Sequence, residues 1–386
     1  MPRVMPIFGT RPEAIKMAPI IAALQATADF ECVVTVTGQH REMLDQVNEL
    51  FGIVPDHDLN ILKTGQSLSG IMTRTMDGLE KLFAESKPDA VIVQGDTTTS
   101  TAGAIAAFYH GIPVVHVEAG LRSGDLFSPF PEEANRKITS QIASLHLAPT
   151  QTSKANLLAE GIPASDIVVT GNSVIDALLS TVDKHLPFSD PRLEELASNG
   201  SRILLVTTHR RENQGDSMRG VGRALARIAD AEEDLVIVLP AHKNPVVREA
   251  VLPSLHGKAN VIICEPLAYG EFTRLLSMAH IVLTDSGGVQ EEAPSLGKPV
   301  LVMRDNTERP EALEAGTVTL IGTDEDRIVK EVDRLLNQQD AYDSMANAVN
   351  PYGDGKAAER TIGALRHMLH LGERSADFVT GPGRTL

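Results

Sequence analysis

The sequence predicts an α/β protein made of two Rossmann-like, doubly wound domains in tandem. Short β-branched runs alternate with longer amphipathic stretches, the pattern of parallel strands joined by crossover helices. The alternation fades over 180–200, where prolines and charges replace it, and then restarts. The 386 residues, 42% of them hydrophobic, suffice for two cores, because a domain averages about 150 residues.

In the first half the candidate strands are RVMPIF (3–8), CVVTVT (32–37), AVIVQG (90–95), IPVVHV (112–117), LHLAP (145–149) and DIVVTG (166–171). Pro6 falls inside the first of these, a central strand, and removes a ladder donor, so a local irregularity is expected there. In the second half they are RILLVTT (202–208), DLVIVLP (234–240), NVIICEP (260–266), HIVLTD (280–285), PVLVM (299–303) and TVTLIG (317–322). The domain boundary is placed at 172/173, and the second domain is read to about 354. The polar tail, 373–386, rich in Gly and Pro, is expected to be loosely held.

A net charge of −16 disfavours nucleic-acid binding, which needs a basic footprint; an anionic ligand requires a local cluster of cations instead. Cys32 and Cys264 lie in apolar strands and read as buried reduced thiols. The twelve histidines show no H-x-x-x-H pattern and no C-x-x-C occurs, so no metal is expected. With no basic leader and no apolar run long enough for a membrane span, a cytoplasmic location is expected.

In open parallel sheets ligands collect beyond the carboxyl ends of the strands. There the sequence places Arg11, Asp96, Glu118, His209, His242 and Asp285 with Ser286, all expected to face one cleft between the domains. Asp96 reads equally as the cap of the helix that follows in DTTTS. In TDSGGVQEEAP (284–294), Ser286, Gly287 and Gly288 precede a helix whose bare amides suit a phosphate, and Glu292 reads either as a diol ligand or as a solvated helix residue. In FGTRPEAIK, Gly9 serves the turn, Arg11 is a fork-shaped donor, Pro12 suits a first helical turn and Lys16 follows about one turn on. This is not the G-x-G-x-x-G of a dinucleotide site, and no acid closes the second strand in TGQHRE, so nicotinamide chemistry is disfavoured. In SPFPEEANRK (128–137), Glu132 and Arg136 share a helix face, either as a structural ion pair or with the carboxylate aimed into a cleft. His209 in THRREN can act as acid, base or phosphate donor.

FGTRPEAIKMAP, GDTTTS, HVEAGLRSGDLFSPFPEEANR, TGNSVIDAL, THRREN, LTDSGGVQEEAPSLGKPVLVMRDNTERPE, AGTVTLIGTD and NPYGDGKA together resemble the non-hydrolysing UDP-N-acetylglucosamine 2-epimerases, in order from residue 4 to about 370. The resemblance implies a GT-B-type architecture, with a last helix over about 355–372 packing back on the first domain, and no cofactor. It implies reversible conversion of UDP-GlcNAc to UDP-ManNAc through 2-acetamidoglucal and UDP, supplying cell-surface polysaccharide synthesis, in a homodimer. It assigns Asp96, Glu118, Glu132 and His209 to catalysis, with Asp96 and Glu118 expected to move the protons and His209 to assist the phosphate. It assigns Arg11, Lys16, Arg136, Ser286, Gly287, Gly288, Glu292 and Arg309 to substrate binding, with Leu267 and Phe272 lining the uracil. Gln39, Arg210 and His242 match a second, activating UDP-GlcNAc site, although Glu42 and Gly65 stand where some members carry glutamine and arginine. A glycosyltransferase of the same fold, a hydrolysing epimerase or a UDP-sugar sensor are the competing readings; the first and last have no use for the full carboxylate set.

Overall fold

The computed structural model describes residues 1–208, 216–307 and 309–380, and the chain divides into two compact units, Met1–Ala177 with Tyr352–Val379, and Leu178–Pro351. In the first unit the strands are β1 (Arg3–Phe8), β2 (Glu31–Cys32), β3 (Thr35–Val36), β4 (His57–Asp58), β5 (Ala90–Gln94), β6 (Val114–Val117), β7 (Leu145–Ala148) and β8 (Ile167–Val169). They form one parallel sheet in the order β4-β3-β1-β5-β6-β7-β8, with β2 also on β1. The second unit holds β9 (Arg202–Thr207), β10 (Leu235–Pro240), β11 (Val261–Cys264), β12 (Ile281–Thr284), β13 (Val300–Val302) and β14 (Val318–Leu320), in the order β11-β10-β9-β12-β13-β14. Strand order reverses between β1 and β5 in one sheet and between β9 and β12 in the other, which makes the loops after these strands the natural ligand-facing positions.

Pro6 leaves β1 itself unbroken over Arg3–Phe8, and the irregularity expected there falls on its neighbour instead. The run read as one strand, 32–37, is split into β2 and β3 beside β1. Val33 N and Thr37 N donate to Val4 O and Phe8 O, so the even-numbered residues of β1 face this neighbour, and Pro6 has no N–H to return. Val34, at the break, turns instead to the next segment: its N–H donates to Asp56 Oδ2 at 2.7 Å, and its carbonyl accepts from Asp56 N and His57 N.

Both sheets are apolar on both faces, as covered parallel sheets require. Ile7, Ile92, Val93 and Val115 in one unit, and Leu204, Ile237 and Leu283 in the other, are fully buried, each contributing about 1.5–3 kcal/mol of apolar burial. Helix Thr98–Tyr109 is alanine-rich and packs against helices Leu68–Ser86 and Glu132–Ile142, where its small side chains allow close approach. Among the described residues no helix is long and apolar enough to cross a membrane.

The units divide inside helix Ser173–Val182 rather than ahead of it. Its first turns are held on the first unit: Ser173 Oγ donates to Lys16 O at 2.7 Å, and the Asp176 carboxylate accepts from Ala357 N and Ala358 N at 3.2 and 2.9 Å, capping helix Ala357–Met368. That helix packs on helix Arg11–Ala26, and Arg366 Nε reaches Asp29 at 2.7 Å. As far as residue 380, the tail differs from the loose segment its composition suggests; 381–386 lie outside the described residues. Phe378 is buried, its N–H donates to Val169 O, and Asp377 pairs with Lys154 at 2.6 Å; one aromatic anchor outweighs the polar residues around it.

Candidate active site

In the first unit, side chains from two helices, the ends of β5 and β6 and the turn after β8 meet. Glu118, the residue after β6, has φ 63°, a left-handed conformation that costs a non-glycine residue about 1–2 kcal/mol. Four side chains hold its carboxylate. Gln94 Nε2 donates to Oε2 at 2.7 Å, Asn172 Nδ2 to Oε1 at 3.2 Å, Lys16 Nζ to Oε1, and Arg136 Nη2 to Oε2 at 3.4 Å. Arg136 Nη1 also donates to the Glu118 carbonyl at 2.7 Å, and Nη2 pairs with Asp96 Oδ2 at 2.7 Å. Burial disfavours the Arg136 charge, yet the Asp96 and Glu118 carboxylates outweigh it and hold the guanidinium above its ordinary pKa. One buried cation therefore bridges two of the expected catalytic acids.

Two readings of the sequence are corrected here. Asp96 does not cap the following helix; Thr97 does, its side chain accepting from Ser100 N at 3.0 Å, while Asp96 faces Arg136. The helical spacing of Glu132 and Arg136 produces no ion pair, because Arg136 is drawn to carboxylates at the ends of β5 and β6. Glu132 Oε2 is buried and has no hydrogen-bond partner among the described residues. Its neighbour Glu133 takes the structural part instead, accepting from Ser123 N and Gly124 N at 3.0 and 3.3 Å.

The opening turn is built on a buried glutamate. Glu13 Oε2 accepts from Gly9 N and Thr10 N at 2.9 and 2.8 Å, and Oε1 from Thr97 Oγ1 at 2.6 Å, tying the loop after β1 to the loop after β5. Burial outweighs these bonds and raises its pKa. Gly9 is needed for space, since a Cβ there falls 2.0 Å from Thr37 Oγ1. Arg11 is exposed at the start of the helix, whereas Lys16 is spent on Glu118. His116 on β6 is buried, its Nε2–H donating to Gly95 O at 2.8 Å, and burial lowers its pKa to about 3, so it is a neutral strut behind Asp96. Gln39 lies beside this turn, accepting from Thr99 Oγ1 at 2.8 Å, with its carbonyl taken by Gln66 Nε2 at 3.3 Å.

In the second unit, Thr284 Oγ1 ends β12 at 2.6 Å from Thr207 Oγ1 and accepts from Ser286 N at 2.9 Å. Ser286 and Gly287 open the short helix Gly287–Glu292. The Arg309 guanidinium lies against Gly287, where a Cβ falls 2.6 Å from Nη1, while a Cβ on Gly288 meets nothing within 4 Å. Glu292 is buried rather than solvated. Burial, and then the Glu292 charge, push the Tyr269 hydroxyl well above its ordinary pKa. Leu267 and Phe272 are half-buried around the start of helix Tyr269–Met278. His242 is exposed, and its Nδ1 accepts from Asn244 N at 3.2 Å. His209 and Arg210 lie outside the described residues.

Sequence reasoning missed Gln94, Asn172, His116 and Glu13. The last residue of a strand was the available signal for Gln94, and the TGNSVIDAL motif for Asn172. The first unit joins Asp96 and Glu118 on one guanidinium, and its helix Glu132–Ile142 carries a carboxylate with a bare buried oxygen; carboxylates of these two kinds are the groups proton transfer requires.

Comparison with known proteins agrees over nearly the whole chain. Residues 22–366 match the family model described as UDP-N-acetylglucosamine 2-epimerase. The chain is 55% identical to the UDP-N-acetylglucosamine 2-epimerase of Escherichia coli strain K12, over 95% of this chain and 98% of that one. A crystal structure of a putative UDP-N-acetylglucosamine 2-epimerase from Listeria monocytogenes superposes with TM-score 0.92 at 48% identity, covering 98% and 99% of the two chains. The Neisseria meningitidis UDP-GlcNAc 2-epimerase, crystallised with UDP-GlcNAc, superposes with TM-score 0.84 at 47% identity, covering 95% and 100%. On these matches, the chain belongs to the UDP-N-acetylglucosamine 2-epimerase family.

Proposed function

We propose that this UDP-GlcNAc 2-epimerase inverts C2 by eliminating UDP across C1–C2 of the sugar and adding it back after reprotonation on the other face. C2 is not next to a carbonyl, so its proton is not acidic in the ground state. As the C1–O bond to UDP stretches, positive charge builds at C1 and the C2 proton becomes removable by a carboxylate. The products of that step are UDP and 2-acetamidoglucal. The return step delivers a proton to C2 and the phosphate oxygen to C1, giving UDP-ManNAc.

The observation that carries this reading is the bare, buried Oε2 of Glu132 in the same unit as the Arg136-bridged pair Asp96 and Glu118. A general base needs an oxygen not already committed to donors, and Glu118 is held by four of them. We therefore give proton transfer to Glu132 and Asp96, and give Glu118 the part of orienting Lys16 and Arg136. Arg11, Ser286, Gly287, Gly288 and Arg309 bind the diphosphate, Glu292 the ribose, and Leu267 and Phe272 the uracil; His209 assists the leaving phosphate oxygen. Gln39, Arg210 and His242 belong to an activating UDP-GlcNAc site. The enzyme acts as a homodimer, and its product supplies ManNAc units to cell-surface polysaccharide.

Incubation with UDP-GlcNAc alone in deuterated buffer, followed by NMR, tests the mechanism. Deuterium is expected at C2 of both epimers, with a trace of 2-acetamidoglucal on long incubation. Epimerisation with the C2 proton retained would refute elimination.

A further inference from the structure

We infer that Glu291 is a positioning residue: it anchors the Arg309 guanidinium by its Nε edge and so sets the Nη edge against the Ser286–Gly288 turn. The inference rests on the reading that Arg309 binds the diphosphate. Arg309 Nε donates to Glu291 Oε1 at 2.6 Å, and the two side chains are 17% and 4% exposed. A guanidinium has two usable edges, and a carboxylate on Nε leaves the position of the Nη fork determined. That fork lies over Gly287, within 2.6 Å (Nη1) and 3.2 Å (Nη2) of where a Cβ would stand, so only glycine admits it.

The backbone at Arg309 is tied to the same helix. Its N–H donates to Thr307 Oγ1 at 3.2 Å, Thr307 Oγ1 donates to Gln290 Oε1 at 2.8 Å, and Gln290 Nε2 donates to Ser286 O at 3.1 Å. Gln290 thus links the turn to the segment that carries Arg309, and Glu291, the next residue, holds the side chain itself. Glu291 in turn is fixed through its carbonyl, which accepts from Asn350 Nδ2 at 2.8 Å. A long cation fixed at both ends is pre-organised, which lowers the ordering cost of binding an anion. The two consecutive glutamates of QEEAP therefore divide the work: Glu291 faces Arg309, and Glu292 acts near Tyr269.

The test is Glu291→Gln, which keeps the shape and an acceptor for Nε while removing the charge. UDP affinity is read by calorimetry and epimerisation by steady-state kinetics. Loss of a charge-assisted anchor is expected to weaken UDP binding and raise KM by about tenfold, with kcat within about threefold of wild type. In an Arg309→Met background, Glu291→Gln is expected to change UDP affinity no further, which a merely structural role does not predict. Gly287→Ala, which displaces the guanidinium from the opposite side, is expected to reproduce the KM effect and serves if Glu291→Gln does not fold. If Arg309→Met weakens UDP binding while the folded Glu291→Gln protein, or Gly287→Ala in its stead, binds like wild type, the inference is overturned. If Arg309→Met itself leaves UDP affinity unchanged, the diphosphate reading falls, and the inference with it.

Discussion

Replacing Glu132 by glutamine separates chemistry from folding more cleanly than any other change in the carboxylate cluster. Its Oε2 makes no hydrogen bond among the described residues, and Arg136 is committed to Asp96 and Glu118. Glu132→Gln therefore breaks no ion pair, and stability is expected to stay within about 1 kcal/mol of wild type, or roughly 2–4 °C in Tm. If this oxygen moves the C2 proton, kcat falls by about 10²–10⁴-fold, the scale of general acid–base catalysis. UDP affinity is expected to be unchanged. Three measurements on one preparation decide the matter: a thermal melt, a UDP titration, and exchange of the C2 proton with deuterated solvent by NMR. Arg136→Met is the contrast. It takes the ion-pair partner from Asp96 and one of four donors from the Glu118 carboxylate, which keeps Lys16, Gln94 and Asn172, and is expected to cost about 1–3 kcal/mol, lowering Tm by roughly 3–10 °C. A folded Glu132→Gln protein that exchanges and epimerises at the wild-type rate refutes the reasoning.

A Cβ at Gly288 meets no atom of the protein within 4 Å, and alanine is favoured over glycine in a helix by about 0.5–1 kcal/mol. Gly288→Ala is expected to keep or slightly raise Tm while weakening UDP binding at least about tenfold, because the methyl group stands where the diphosphate is proposed to approach; calorimetry showing unchanged affinity would remove the diphosphate from that turn. Asp176 gives a pH prediction. Burial is the main cause that lifts its folded-state pKa to about 6 from an ordinary value of 3.8, so the folded state takes up its proton first as pH falls, and the stability linked to this group rises below pH 6. Relative to Asp176→Asn, the wild type is expected to gain about 2 kcal/mol between pH 7.5 and pH 4.5, measured by urea unfolding at both values; a constant difference would contradict it.

The parallel-strand architecture and the strand-end acids were legible because both follow from short-range pattern: β-branched runs locate the strands, and ligand-facing residues follow their carboxyl ends. Pro6 signalled an irregularity but not its place, which is the neighbouring strand rather than β1. What the residues did not reveal was which partner each charge chooses. Spacing put Arg136 beside Glu132, but its partners lie 40 and 18 positions away in sequence, in loops that only the sheet brings together. Neutral donors such as Gln94 and Asn172 carry no charge signal and pass for ordinary strand-end and turn residues. Glu13 is hidden for a different reason, since a helix-start glutamate gives no hint of being wholly buried. Phe378 shows the limit of composition, because one aromatic among polar neighbours is enough to dock a tail.

The shared guanidinium of Arg136 also bears on how such a chain drifts under mutation. Asp96, Glu118, Lys16 and Arg136 answer one another's charges within the fold, so losing any one leaves another uncompensated, and folding alone resists substitution at all four. Glu132 has no such tie. On the proposed role of Glu132 in proton transfer, a descendant released from the need to epimerise would keep the quartet for the sake of its core and surrender Glu132 first, so that the residue at that position would separate working enzymes from retired copies of the same fold.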